Sequence, residues 1–395
     1  MAQSSNPQFF TQEELNNLKS TYEVGGLEAV VSLIRKKLQE LQNTELHIAV
    51  TGESGGGKST FINTMRGLRR KDKGAAKTGT TETTMKPTPY PHPNMPTVCF
   101  WDLPGIGTTN FPAGAYLQEM NLNKYDFFIV ISDCRFREND ASLAEAMKEL
   151  GKKFYFVRSK IDNDLRALQM EDEEFNTDEE LGKIRNDCVD NLEKAGISSA
   201  DVFLISNFKL NEYDFPALKE ALEDGLDDLK KHIFLLSLQN TTMEIVEKKR
   251  VHLLALIGII AIISGIVGAV PVPGLSFSCD VKLLTDAIIH FRNHLGLDDA
   301  SLQRLADTVG KPMGNLKAVA KSTFMGEINE QTVERMMVKA TSYTIFTDVI
   351  RCIPIIGSII GAISSAPTII NFLKDALNDL TENAKRVVQV AFGSH

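Results

Sequence analysis

The stretch Gly52-Glu53-Ser54-Gly55-Gly56-Gly57-Lys58-Ser59 constrains this 395-residue chain more than any other. Its spacing is G-x-x-x-x-G-K-S, and its setting agrees with its spacing. The apolar run Leu46 to Thr51 precedes it and reads as a buried strand; Thr60 to Arg66 follows and reads as a helix. Strand, glycine loop and helix in that order make a phosphate cradle. The glycines let the backbone wrap closely, so that N–H groups from Gly52 through Thr60 point at an anion, and the helix N-terminus adds partial positive charge. Lys58 would reach the β- and γ-phosphates, and the Ser59 hydroxyl would ligate Mg2+.

The rest of the chain from Leu46 to about Leu229 alternates apolar strands with helical stretches. Thr97–Trp101, Phe127–Ile131, Phe154–Val157 and Val202–Ile205 are continuously apolar, as strands covered on both faces are. Helical patterns near 138–151, 178–195 and 214–230 lie between or after them. This predicts an α/β domain with a mostly parallel, doubly wound sheet and ligands at the carboxyl ends of its strands. Leu68 to Pro96 is rich in Gly, Thr and Pro and reads as a long mobile loop.

Two motifs sit where such a sheet would place them. Asp102-Leu103-Pro104-Gly105 follows the strand ending at Trp101 and has the form D-x-x-G. There Asp102 would hold Mg2+ and the Gly105 N–H would sense a γ-phosphate. Ser159-Lys160-Ile161-Asp162 follows the strand Phe154–Val157 and corresponds to [NT]-K-x-D, with Ser159 departing from Asn or Thr. Asp162 would accept hydrogen bonds from N1–H and the 2-amino group of guanine, donors that adenine lacks there. Lys160 would lie along the base. Ser206-Asn207, after Val202–Ile205, is the weaker element near guanine O6. The ligands so implied are GTP or GDP with Mg2+.

A switch segment belongs between Thr78 and Thr84. Thr78, Thr80, Thr81, Thr83 and Thr84 crowd it, so spacing alone does not choose a Mg2+ ligand among them, Thr84 being one candidate. Glu82 lies among them. After Gly105 stands Ile106, where many small GTPases carry a water-orienting Gln. Isoleucine cannot orient water, so hydrolysis is either slow or completed by groups from elsewhere.

Outside this domain the pattern is helical. Leu15, Leu18, Leu27, Val30, Val31, Ile34, Leu38 and Leu41 recur mostly at three- and four-residue spacing, and Gly25-Gly26 is expected to break the stretch into two helices. These helices precede the first strand and must pack elsewhere, on helices at the other end of the chain. From about Leu235 helical periodicity dominates. Leu253–Val270 and Cys352–Leu373 are charge-free. Each is marginal as a bilayer span and suits burial inside an all-α domain; burial is the favoured reading, with membrane contact left open. Amphipathic helices are expected near 280–295, 299–309 and 330–350.

Composition excludes several classes. A formal charge of −8 argues against a nucleic-acid surface. Five scattered cysteines, with no C-x-x-C pair, suit a reducing compartment and make no metal site. Met1 to Pro7 has no signal-peptide pattern, Ala2 removes the myristoylation signature, and Phe392 to His395 carries no prenylation box. His290 and His294 lack a third ligand and read as structural, and Glu171 to Glu174 as a solvated loop.

The long runs Thr51–Gly67, Gly74–Gly79 and Phe100–Pro112 resemble the interferon-inducible immunity-related GTPases (the IRG family). So do Tyr125–Ile129, Lys153–Arg158, Tyr213–Pro216 and Ser301–Ala306, so the resemblance spans nearly the whole chain. It implies a Ras-like P-loop GTPase domain, 45–232, set into an all-α helical domain built from 1–44 and 233–395. It implies GTP-dependent homodimers or homo-oligomers through the nucleotide face, with hydrolysis stimulated by association. The family's activating switch glutamate maps onto Glu82, and Thr78 and Thr84 onto threonines of its switch I. Lys58 places the chain with the lysine-bearing, hydrolysing branch. Family members act in cell-autonomous immunity at intracellular membranes, notably vacuoles enclosing pathogens. The expectation is therefore a cytoplasmic, membrane-associating GTPase whose partners include other family members.

Overall fold

The computed structural model describes residues 12–79, 86–104, 122–134, 138–149, 151–171, 174, 176–197, 200–267, 275–339 and 366–393. The chain divides into two compact units, Glu45–Leu226 and Met1–Thr44 taken with Asp227–His395.

The first unit is built on a six-stranded sheet in the order β2-β3-β1-β4-β5-β6. The strands are β1 (Leu46–Thr51), β2 (Thr88–Pro91), β3 (Val98–Asp102), β4 (Phe127–Ser132), β5 (Phe154–Arg158) and β6 (Val202–Leu204). β1 pairs in parallel with β3 and β4, and β4–β5 and β5–β6 continue the parallel run. Every residue of β4 is buried, which is why these strands read as unbroken apolar runs. On one face Ala49, Phe128, Val130 and Phe156 pack with Leu165, Cys188 and Leu192 from covering helices.

Two elements differ from the sequence reading. The stretch from Leu68 to Pro96 contains a strand, β2, antiparallel to β3 with Tyr90 opposite Phe100. It sits at the edge, where Pro89 and Pro91 forfeit no shared ladder bond, so its prolines disguised it as loop. The helix Ile161–Glu171 follows directly on Lys160 and was also unforeseen. Its first residues, Ile161 and Asp162, also complete the S-K-I-D element, which masks the helix start in the sequence.

The remaining helices of this unit in chain order are α2 (Lys58–Met65), α3 (Glu138–Glu149), α4 (Ile161–Glu171), α5 (Thr177–Lys194) and α6 (Phe215–Asp224). The stretch expected as one helix near 214–230 is two: α6 ends at Gly225, and Asp227 caps α7 (Asp228–Ser237) by accepting the Lys230 N–H at 3.0 Å.

The second unit is helical. Its N-terminal helix α1 (Gln12–Asn43) runs through Gly25-Gly26 without a break. Two interior glycines cost a helix about 1 kcal/mol each relative to alanine, and Val30 and Ile34, fully buried, offset that by packing. α1 and α7 both contact α8 (Met243–Val267). So do α9 (Leu275–His294) and α13 (Ala366–Phe392). Between them lie α10 (Asp299–Val309), α11 (Met313–Val319) and α12 (Glu330–Lys339).

The apolar run that begins at Leu253 lies in α8, and His252 through Ile259 is buried without interruption. A helix buried all round needs no polar face, which accounts for its composition. Among the described residues no helix is long and apolar enough to cross a membrane. Residues 268–274 and 340–365, which include most of the second run, lie outside the described residues.

Candidate functional site

The parallel register brings the carboxyl ends of β1, β3, β4 and β5 to one edge: Val50 stands opposite Asp102, Thr51 opposite Val130, and Ser132 opposite Arg158. The sequence motifs converge on this edge.

The glycine loop runs from β1 into α2. Gly52 has φ 131°, and a Cβ there would stand 2.0 Å from the Ile131 carbonyl oxygen, so only glycine lets the loop turn against β4. Gly57, at φ 98°, is the N-cap of α2 and offers no side chain to the helix N-terminus. The first N–H groups of α2 are therefore left without a side-chain cap, as an anion site requires. Lys58 is buried, and its Nζ donates to the carbonyls of Gly52 at 3.0 Å and Glu53 at 2.9 Å. The ammonium thus lies over the loop it belongs to. Ser54 and Gly55 are exposed, Gly56 is buried, and Glu53, Ser59 and Thr60 are half-buried.

Asp102 ends β3, buried, and its Oδ2 accepts the Ser59 hydroxyl at 2.8 Å. An aspartate oxygen and a serine oxygen are thereby joined at the start of α2. Both are the hard oxygen donors that Mg2+ selects.

The loop after β5 closes on the same cradle. Ser159, fully buried, donates its hydroxyl to the Gly56 carbonyl at 2.7 Å, and its N–H to Ser132 at 2.8 Å. Lys160 has φ 61°, rare for a residue with a side chain. Its Nζ donates to the Gly55 carbonyl at 2.8 Å and pairs with Asp133 at 2.5 Å. Such conformations in side-chain-bearing residues cost energy that the surrounding structure must supply. Asp162 lies half-buried in the first turn of α4. Arg158 braces that turn: it pairs with Asp164 at 2.5 Å and donates to the Ser159 carbonyl at 2.7 Å. Burial holds the Asp164 carboxyl above the usual carboxylate range, and the Arg158 guanidinium counters only part of this.

Ser206 and Asn207, both buried, follow β6. The Asn207 carbonyl accepts the Thr64 hydroxyl of α2 at 3.2 Å. The space a Cβ on Gly57 would occupy lies 3.4 Å from Ser159 Oγ and 3.5 Å from Asn207 Nδ2, so both loops crowd the cradle.

Most of the sequence-read residues are thus brought together. Thr78 is half-buried. Glu82, Thr84, Gly105 and Ile106 lie outside the described residues. Asp133 escaped the sequence reading. Its signal was available, for it directly follows an apolar strand of a parallel sheet, where site residues belong. Burial and the adjacent Asp133 push the Cys134 thiol upward, which keeps it protonated and unsuited to nucleophilic chemistry.

Comparison with known proteins agrees with this arrangement. The family described as "Interferon-inducible GTPase (IIGP)" matches residues 11–390. Interferon-inducible GTPase 5 of Rattus norvegicus is 39% identical over 379 residues, covering 95% of this chain and 82% of the relative. T-cell-specific guanine nucleotide triphosphate-binding protein 2 of Mus musculus is 42% identical over 331 residues, 83% of this chain and 80% of the relative. Interferon-inducible GTPase 1 of Mus musculus is 39% identical over 329 residues, with coverage of 83% and 80%. With its glycine loop, its Ser59–Asp102 pair and a family match over nearly its whole length, the chain belongs to the interferon-inducible GTPase family.

Proposed function

We propose that this chain binds guanine nucleotides, hydrolyses GTP to GDP and phosphate, and self-assembles in the GTP state at intracellular membranes in innate defence. The observation that carries the reading is the convergence of three loops on the uncapped N-terminus of α2, with Lys58 above it. In this reading backbone N–H groups of Gly55 through Thr60 receive the phosphates. Lys58, now held by two loop carbonyls, turns to the β- and γ-phosphate oxygens, where its charge offsets theirs. Ser59 and Asp102 would hold a Mg2+ ion, which would supply positive charge to offset that of the phosphates. Asp162 reads the guanine edge, Ser206 and Asn207 shape the pocket near O6, and Ser159 and Lys160 tie the base loop to the phosphate loop. Thr78 and Thr84 belong to the switch, with Thr84 the further Mg2+ ligand. Gly105 senses the γ-phosphate.

Hydrolysis in this reading is completed by association. Ile106 cannot orient water, and Glu82 is the group proposed to act once two nucleotide faces meet. The chain is cytoplasmic and joins membranes peripherally, alone or with other family members.

GTP turnover per molecule, measured across a wide range of protein concentration with Lys58→Ala as the blank, tests this. Turnover that climbs with concentration and vanishes in the blank supports an assembling GTPase. Turnover flat at the level of the blank, with GTP still bound, makes the chain a GTP-gated binding module instead. Release of the GTP-loaded chain from vesicles by alkaline carbonate is expected for peripheral association; retention would point to an embedded scaffold.

A further inference from the structure

Residues 69–77, Arg69-Arg70-Lys71-Asp72-Lys73-Gly74-Ala75-Ala76-Lys77, carry five basic side chains and one acidic one in a chain whose formal charge is −8. Arg70, Lys71, Lys73 and Lys77 are exposed. The one carboxylate, Asp72, is engaged within the loop itself. Its Oδ2 accepts the Arg69 N–H at 2.8 Å, and its Oδ1 lies 3.5 Å from the Arg69 guanidinium. Among the described residues no carboxylate pairs with Arg70, Lys71, Lys73 or Lys77.

The loop that displays these four cations is fixed to α2 at both ends. On leaving the helix, the Leu68 N–H donates to the Asn63 carbonyl at 2.8 Å. On the return, the Ala76 N–H donates to Asn63 Oδ1 at 2.6 Å, and Asn63 Nδ2 donates to the Ala76 carbonyl at 2.9 Å. Arg66, buried in the same turn of α2, donates to the Gly74 carbonyl at 3.0 Å and to the Pro91 carbonyl of β2 at 2.9 Å. Inside the loop the Asp72 N–H reaches the Arg69 carbonyl at 3.0 Å, and the Ala75 N–H the Asp72 carbonyl at 3.1 Å. A frame held in this way keeps like charges close together. Their mutual repulsion is a standing cost that an anionic surface reverses.

The residues of the loop say which surface. None of 69–77 is apolar beyond alanine. The loop therefore offers neither the apolar centre of a protein–protein interface nor an aromatic platform for single-stranded nucleic acid. A nucleic-acid duplex is held by about six to ten phosphate contacts, more than one short loop with four cations can make. A bilayer carrying anionic lipid needs only cations presented together, each adding its own attraction. Among the described residues no helix is long and apolar enough to cross a membrane, so these residues can meet a bilayer only through their surface.

We propose that the loop at 69–77 is a docking surface for anionic phospholipid headgroups, with Arg70, Lys71, Lys73 and Lys77 as its contacts. This rests on the membrane-associating reading above and names the part of the chain that makes the contact. The loop hangs from the carboxyl end of α2, whereas the phosphate cradle lies at its amino end. Docking therefore leaves the nucleotide site open.

The test is co-sedimentation of the full chain, loaded with a non-hydrolysable GTP analogue and Mg2+, with phosphatidylcholine vesicles that contain or lack phosphatidylserine. The wild type should bind the phosphatidylserine vesicles and be released as salt is raised. The combined neutralisation Arg70→Gln, Lys71→Gln and Lys73→Gln should weaken that binding at least roughly tenfold. Nucleotide affinity and melting temperature should stay at the wild-type values. The combination Arg70→Lys, Lys71→Arg and Lys73→Arg, which keeps every charge, should bind as the wild type does. Equal binding by the wild type and the neutralised variant overturns the proposal and leaves membrane association to another surface. Equal binding of the wild type to both kinds of vesicle overturns it too, because charge is then not what is read. Weaker self-association of the neutralised variant without lipid makes the loop a contact for a second copy and again overturns it. Displacement from the vesicles by duplex DNA at equal phosphate concentration makes the partner a nucleic acid and overturns it as well. Failure of the wild type to bind either kind of vesicle overturns the membrane-associating reading together with the proposal.

Discussion

The ammonium of Lys160 pairs with the carboxylate of Asp133 at 2.5 Å, across the carboxyl ends of two adjacent parallel strands. The same ammonium holds the Gly55 carbonyl at 2.8 Å, so one side chain links β4, β5 and the phosphate loop. Asp133 is thereby a positioning residue for Lys160. Asp133→Asn keeps the shape but removes the charge. GDP should then dissociate several-fold faster, roughly as loss of a half-exposed ion pair of about 1 kcal/mol dictates. Stopped-flow displacement of a fluorescent GDP analogue reads this directly, and an unchanged rate would show the pair to be ornamental.

Asp162 is placed in the first turn of α4, braced by Arg158 and Asp164. Replacing its carboxylate with an amide exchanges two acceptors for an acceptor and a donor. Asp162→Asn should therefore shift preference from GTP towards XTP, whose 2-oxo group accepts from the new amide. Competition binding with both nucleotides checks this; undiminished GTP preference would sink the assignment.

Gly52→Ala should be severe. Its φ of 131° strains any side chain, and the added Cβ would stand 2.0 Å from the Ile131 carbonyl. Either the loop or β4 must move, at a cost of at least about 2 kcal/mol. Loss of GDP binding with a lower melting temperature is the expected pair of results. Gly55→Ala is the contrast: its Cβ would meet nothing within 4 Å, so only its φ of 84° opposes the change.

The helical unit should weaken in acid. His232 and His252 meet Nδ1 to Nδ1 at 2.8 Å, and the rings of His290 and His294 lie 4.2 Å apart. Burial pushes His252 and His290 down to about 4 and His232 well below 6.5, with the neighbouring histidines and Lys231 and Lys248 adding repulsion. In the unfolded chain these imidazoles take their protons near 6.5, so on acidification the unfolded state binds protons first. Their contribution is complete above pH 6.5, declines as pH falls towards about 4, and is flat below that for His252 and His290. Each of those two accounts for up to about 3 kcal/mol over that window. Urea unfolding at a series of pH values should show this slope, and His290→Gln should make it shallower. An identical slope in the variant would assign the acid sensitivity to other groups.

Much of this was legible in the chain. The glycine spacing, the apolar runs and the two Asp motifs identify the sheet and the edge where they meet, because continuous burial and tight turns leave unmistakable residue choices. β2 was hidden because an edge strand tolerates Pro89 and Pro91, which elsewhere signal loop. The break expected at Gly25-Gly26 is absent from α1, because tertiary packing of Val30 and Ile34 overrides local propensity. By composition the apolar run beginning at Leu253 fits a bilayer or a protein interior, with its short length and interior glycines favouring burial. Only its neighbours, α1, α7, α9 and α13, show that His252 through Ile259 is enclosed by protein.

Sequence by itself therefore determined the family and the residues proposed to hold a phosphate and read a base, since those candidates are recognised by residue type and short spacing. The tertiary structure decided which of them act together. Asp133 and Lys160, or Ser59 and Asp102, are far apart in the chain, and no local pattern encodes their meeting. Their proximity is a consequence of strand order and register, which the burial of both sheet faces settles collectively.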